Sequence, residues 1–128
     1  LVKGAYKEPA TIAFARKADV DHNFYTLVTS FLSARERSPG AFLGIGTHDP
    51  RLLRGIEDFV AREQIPPTRL EYEMLYGIQR RLQQELIGAG RPLRVLISYG
   101  EFWFPWYMRR LAERPANVLF VARNLLGG

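Results

Sequence analysis

The chain has 128 residues, 47% of them hydrophobic, no cysteine, and 18 Lys and Arg against 13 Asp and Glu. That length suits one small domain, the apolar share excludes a disordered tail, and the missing thiols exclude a disulfide framework, a thiolate zinc site and a cysteine nucleophile. The net charge of +5 permits anionic partners, but acids interrupt the basic residues (Arg35-Glu36-Arg37, Arg62-Glu63), so solvated helix faces are expected and nucleic-acid binding is not.

The chain opens with LVKGAY, a strand-like start without methionine, which is expected of a fragment or of a chain whose earlier part lies elsewhere. Five short β-prone runs follow one another: Leu1–Gly4, Phe42–Gly46, Leu70–Leu75, Leu93–Ile97 and Val118–Val121. Helical spacing separates them. Val20, Phe24, Leu27, Val28, Phe31 and Leu32 form the first apolar stripe, with Asp19 predicted as its N-cap. Thr11–Lys17 is less patterned, an extra loop or a short helix. After Pro50 the stripe is Leu52, Leu53, Ile56, Phe59 and Val60. After Gly77 it is Ile78, Leu82 and Leu86, stopped by Gly88 and Gly90. Alternating strands and helices predict an α/β fold with a parallel sheet, and several apolar runs predict strands covered on both faces. Right-handed crossovers then gather the strand-to-helix loops KGAYKEP, GTHDP, LYG and SYGEFWFP on one side, where α/β folds carry their chemistry.

Each of these loops offers chemistry and also a plainer reading. Lys3-Gly4-Ala5 would let a cofactor approach the backbone with a cation at its edge, or is a strand-end glycine beside a surface lysine. Asp49-Pro50 reads as a helix cap, which leaves His48 free to donate to a phosphate or a flavin oxygen. Glu71 and Glu73 alternate with Tyr72 and Met74 and so point the same way, and a buried acid there needs a partner. The helix WFPWYMRRLAERP puts Trp106, Arg109, Arg110 and Glu113 on one face. Two guanidinium forks beside an indole can hold a small carboxylate, while the plainer reading is a solvated face with a Glu113–Arg109 pair. His22 and His48 lack metal-ligand spacing, and no dinucleotide-binding glycine fingerprint, phosphate loop or nucleophile elbow is present.

In their order, LVKGAY, THDP, E-x-x-LYG and YG…W…RRLAERP resemble the C-terminal half of the proline dehydrogenase family, over nearly the whole chain. The resemblance implies a distorted (βα)8 TIM-like barrel that binds FAD noncovalently, with this chain running from strand five through the last helix and the N-terminal half of the barrel supplied separately. It implies oxidation of L-proline to Δ1-pyrroline-5-carboxylate, with electrons passed from the flavin to a quinone, in the cytoplasm and peripheral to the bacterial inner membrane. Residue by residue, it makes Arg109 and Arg110 the clamp for the proline carboxylate, with Glu113 steadying an arginine. Ala5, Tyr6 and Leu75 would line the proline ring. Trp106 stands where the family often has tyrosine, and Leu96 where many members have a ring-contacting tyrosine. Val2, Lys3, Gly4 and Ala5 would run along the flavin, Thr47 and His48 would contact it, and Glu73 stands where other members have glutamine near it. No nucleophile is implied. The alternative is a non-catalytic half-barrel or interaction module that needs a second chain.

Overall fold

In a computed structural model, the described residues are 1–4, 8–34 and 40–112, with Tyr107 and residues 109–112 described by backbone alone. Three strands, β1 (Leu43–Gly46), β2 (Leu70–Leu75) and β3 (Leu93–Leu96), form a parallel sheet in that order. The Leu1–Gly4 run adds to its edge. Val2 bridges Gly46 in parallel, Gly46 N donates to Leu1 O and Lys3 N to Gly46 O, each at 2.8 Å. The predicted runs at 42–46 and 93–97 each lose one terminal residue, and Leu70–Leu75 is matched throughout. The run Val118–Val121 lies outside the described residues.

Four α-helices connect or follow these strands: α1 (Lys17–Ser33), α2 (Pro50–Arg62), α3 (Arg80–Gly88) and α4 (Trp103–Ala112). The start of α2 is as the sequence dictates: Pro50 at the first turn, and the Asp49 carboxylate accepting from Arg51 N at 3.1 Å. The start of α1 is not. Its N-cap is Arg16, and Asp19 sits inside the first turn, gripping the Arg16 guanidinium through two hydrogen bonds of 2.8 Å. An acid one turn in still opposes the positive end of the helix dipole, so the stretch begins to coil before Asp19. Ile78 precedes α3, with Gly77 at φ 81° making the turn that leaves the strand.

The core lies on one face of the sheet. Phe24, Val28 and Leu32 of α1, Leu53, Ile56 and Val60 of α2, and Leu82 and Leu86 of α3 pack on Leu43, Ile45, Leu70, Tyr72 and Met74. A fully buried side chain of this kind contributes about 1.5–3 kcal/mol. The opposite face, with Gly44, Gly46, Glu71, Glu73 and Arg94, gives nothing to the buried core among the described residues. Among the described residues, the strands are covered on one face. The period-two alternation of LEYEML sends Leu70, Tyr72 and Met74 to the helices and both glutamates away from them. No helix among the described residues is long and apolar enough to cross a membrane.

Candidate functional site

Parallel register builds the open face row by row. Val2 is opposite Gly46, Gly46 opposite Glu73, and Glu73 opposite Arg94. These four side-chain positions therefore share a level on one face. One step below, Gly44 is opposite Glu71, and Arg94 reaches down to grip Glu71 through Nε at 2.7 Å and Nη2 at 3.2 Å. The Glu73 carboxylate lies over Gly44: a Cβ at position 44 would come 2.4 Å from Glu73 Oε1. Gly44 thus leaves the space that lets Glu73 lie across the strand.

At the C-terminal ends of the strands, Leu75 is opposite Leu96. Leu96, Tyr99, Phe102, Trp103 and Trp106 line an open groove of 460 Å³. The turn into α4 uses Gly100 at φ 83°, and Trp103 meets Phe104 edge to face at 5.6 Å. Of the sequence-predicted residues, Leu96 is thus paired with Leu75 in the sheet and shares the groove with Trp106 of the helix that carries Arg109 and Arg110. The side chains of those two arginines, and Ala5, Tyr6 and Glu113, lie outside the described residues.

His48 joins the first two strand ends. Its Nε2 accepts a hydrogen bond from Leu75 N at 2.7 Å. A ring nitrogen that accepts carries no proton, so the proton is on Nδ1, which is left as a donor. Burial lowers its pKa below the ordinary value, favouring the same neutral form. The unfolded chain therefore binds more protons than the folded one as pH falls past the ordinary histidine value of about 6.5, and stability falls with it. This contribution is complete above that value and is lost on acidification. Denaturant midpoints measured from about pH 7 down to pH 5 are expected to decline, and His48→Gln, which can accept from Leu75 N but cannot titrate, is expected to flatten that part of the curve. An identical acid slope in the variant would show that His48 does not set it.

Two predicted contacts have partners within the chain. Thr47 is 4% exposed, and its hydroxyl accepts from Asp49 N at 3.2 Å; it shapes the turn that aims His48 and does not face outward. The Lys3 ammonium is not a cation at the edge of the open face. Strand alternation sends Val2 to that face and Lys3 to the helix side, where its amine pairs with Asp49 at 2.9 Å and with Asp21. Val2, Gly4 and the Lys3 backbone remain at the strand end. A Cβ built on Gly4 would meet nothing within 4 Å. The sequence reading missed Asp21 and Lys17, which complete this ion cluster; an i,i+4 Lys–Asp spacing at the start of α1 was the available signal. Among the described residues no group of three His, Asp or Glu is placed to hold a metal.

The profile of the family described as proline dehydrogenase matches residues 1–123. The chain belongs to the proline dehydrogenase family. Proline dehydrogenase of Deinococcus radiodurans is 42% identical over 128 residues, all of this chain and 40% of the relative. Proline dehydrogenase 1 of Bacillus subtilis (strain 168) is 42% identical over 126 residues, 98% of this chain and 40% of the relative. Proline dehydrogenase 2 of the same strain is 36% identical over 125 residues, again 98% of this chain and 40% of the relative. The chain thus spans about two-fifths of the length of these relatives. On its open face Glu73 and Arg94 share one row, and Leu96 lines the groove with Trp106 at the strand ends.

Proposed function

We propose that this chain forms the C-terminal half of a (βα)8 barrel, residues 1–128, that oxidises L-proline to Δ1-pyrroline-5-carboxylate with FAD and passes the electrons to a quinone. The observation that carries this reading is Leu96 at the strand ends, opposite Leu75 in the sheet and lining one groove with Trp106 of α4, in a chain of the proline dehydrogenase family. The residues present fit a flat, hydrogen-bond-accepting cofactor. Gly4 and Gly46 present no side chain, and His48 has its Nδ1 proton to donate. On this reading Val2, the Lys3 backbone, Gly4, Ala5, His48 and Glu73 hold FAD, with Thr47 supporting the turn. When bound, FAD supplies the hydride acceptor.

The protein's own work is then to bind and orient. Arg109 and Arg110 take the proline carboxylate as two charge-assisted contacts, and Glu113 keeps an arginine in place. Ala5, Tyr6, Leu75, Leu96 and Trp106 wall the apolar ring and keep water from it. That fixes the α-carbon hydrogens toward the cofactor, a positional effect that requires no nucleophile. With an aliphatic side chain at Leu96, no hydroxyl is offered there to the ring, which changes the discrimination between proline and hydroxyproline.

A sheet face that gives nothing to the core, and a buried Arg69 whose Nε and Nη2 have no partner among the described residues, both leave room for protein beyond the described residues. We assign that role to the N-terminal half of the barrel. The assembled enzyme works in the cytoplasm and touches the inner membrane peripherally to reach its quinone. The test is colour. The assembled protein is expected to purify yellow and to bleach when L-proline is added without an acceptor. A colourless preparation that stays colourless with added FAD would favour a half-barrel module without catalysis.

A further inference from the structure

Leu1–Gly4 is held to β1 by backbone hydrogen bonds alone along most of its length: Leu1 N to Gly44 O at 2.7 Å, Gly46 N to Leu1 O and Lys3 N to Gly46 O. Register in a sheet is ordinarily fixed by side chains that must reach one particular face. Here the one bridged β1 position, Gly46 opposite Val2, has none, and Leu1 and Val2 are exposed. The Lys3 side chain is the exception, at 7% exposure. Its Nζ lies between Asp21 of α1 and Asp49, the cap of α2, and Lys17 Nζ closes the cluster by pairing with the same two acids, at 3.0 Å from Asp49.

We propose that Lys3 is a positioning residue: its ammonium, clamped by Asp21 and Asp49, sets the register of the Leu1–Gly4 strand end and thereby presents the Val2–Gly4 backbone to the cofactor. The clamp ties three chain segments together at the same end of the sheet as His48. A one-residue slip of the edge strand would send Lys3 to the open face and Val2 into the ion cluster, which the two carboxylates forbid. Although burial opposes it, hydrogen bonds from Lys17 and Lys3 hold the Asp21 carboxyl below the usual range, and hydrogen bonds from Lys3 and Lys17 do the same for Asp49. Both acids therefore stay charged at neutral pH. The clamp itself stands on the geometry; its consequence for the cofactor rests on the functional reading above.

The test uses the assembled protein and two readouts. In Lys3→Met, the amides of positions 3 and 46 are expected to lose hydrogen-exchange protection by about tenfold or more, while the Tyr72 amide, bonded to Pro92 O on the far side of β2, keeps its protection. FAD affinity is expected to weaken by a similar factor. Lys3→Arg, which keeps the cation, should recover part of both. Adding Asp21→Asn to Lys3→Met should cost less than the two single effects combined, because the two side chains share one interaction. Unchanged protection at positions 3 and 46 in Lys3→Met overturns the clamp. Lost protection with FAD affinity within twofold of the parent overturns its role in presenting the site. If the parent itself takes up no FAD while the protection pattern holds, the clamp stands and the functional reading is the one that fails.

Discussion

Replacing Arg109 and Arg110 together by methionine in the assembled barrel is expected to lower kcat/KM for proline by about 10²- to 10⁴-fold, most of it through KM. The estimate takes two charge-assisted contacts at about 1.5–3 kcal/mol each and converts them at about 1.4 kcal/mol per tenfold. Methionine keeps an unbranched apolar stem like that of arginine, so the helix and its packing are the least disturbed. The expected signature is specific: FAD stays bound at full stoichiometry, reduction by proline slows at low substrate, and much of the rate returns at high substrate. Both arginines lie on α4, which starts among the aromatics that line the groove beside Leu96. An unchanged KM would mean that the two guanidinium groups are only a solvated helix face, and the proposed substrate contact would have to be sought elsewhere.

Glu57→Ala is expected to destabilise the assembled protein by about 2 kcal/mol, the scale for stranding the partners of a partly buried, hydrogen-bonded carboxylate. Glu57, on α2, accepts from the Tyr72 hydroxyl and, through Oε2, from Arg91 Nε at 2.7 Å. Tyr72 is fully buried in the middle of the sheet. Burial and the hydrogen bond to Glu57 push its phenol well above the usual range, so the hydroxyl is a permanent donor that needs this acceptor. Truncating Glu57 strands both the hydroxyl and the guanidinium. Tyr72→Phe removes donor and demand together, leaves the Glu57–Arg91 pair intact, and is expected to cost only about 1 kcal/mol. Denaturant unfolding monitored by circular dichroism gives both numbers. Equal losses in the two variants would contradict the network, as would a loss below about 0.5 kcal/mol for Glu57→Ala, the ordinary range for a surface substitution.

Much of this molecule is legible wherever the signal is local. LEYEML alternates with the period of a strand, and β2 covers those six residues. Asp49-Pro50 announces a helix start, and α2 begins there with the side chain capping the first turn. The glycine at position 100 and the aromatics after it read as a strand-to-helix junction, and α4 begins at Trp103. The ordered motifs also carry the family, because KGAY, THDP, LYG and RRLAERP keep their sequence order whatever the fold. Asp19 shows how narrow the local signal is: composition placed an acid at a helix start, but the cap fell on Arg16.

The direction and partners of the site residues were decided by tertiary structure. Lys3 and Asp49 are 46 positions apart and His48 and Leu75 are 27 apart. Such pairs exist only after parallel strands have set their register, and a slip of one residue would exchange every inward and outward side chain. The sequence by itself determined which segments coil, which extend, and which family they belong to, since those properties depend on neighbours within a few residues. Only the tertiary structure decided that the Lys3 ammonium pairs with Asp21 and Asp49, that His48 is neutral with its proton on Nδ1, and that Leu96 stands opposite Leu75 and beside the groove shared with Trp106. The physical reason is that charge pairing and burial act through space, and the sheet brings together what the chain keeps far apart.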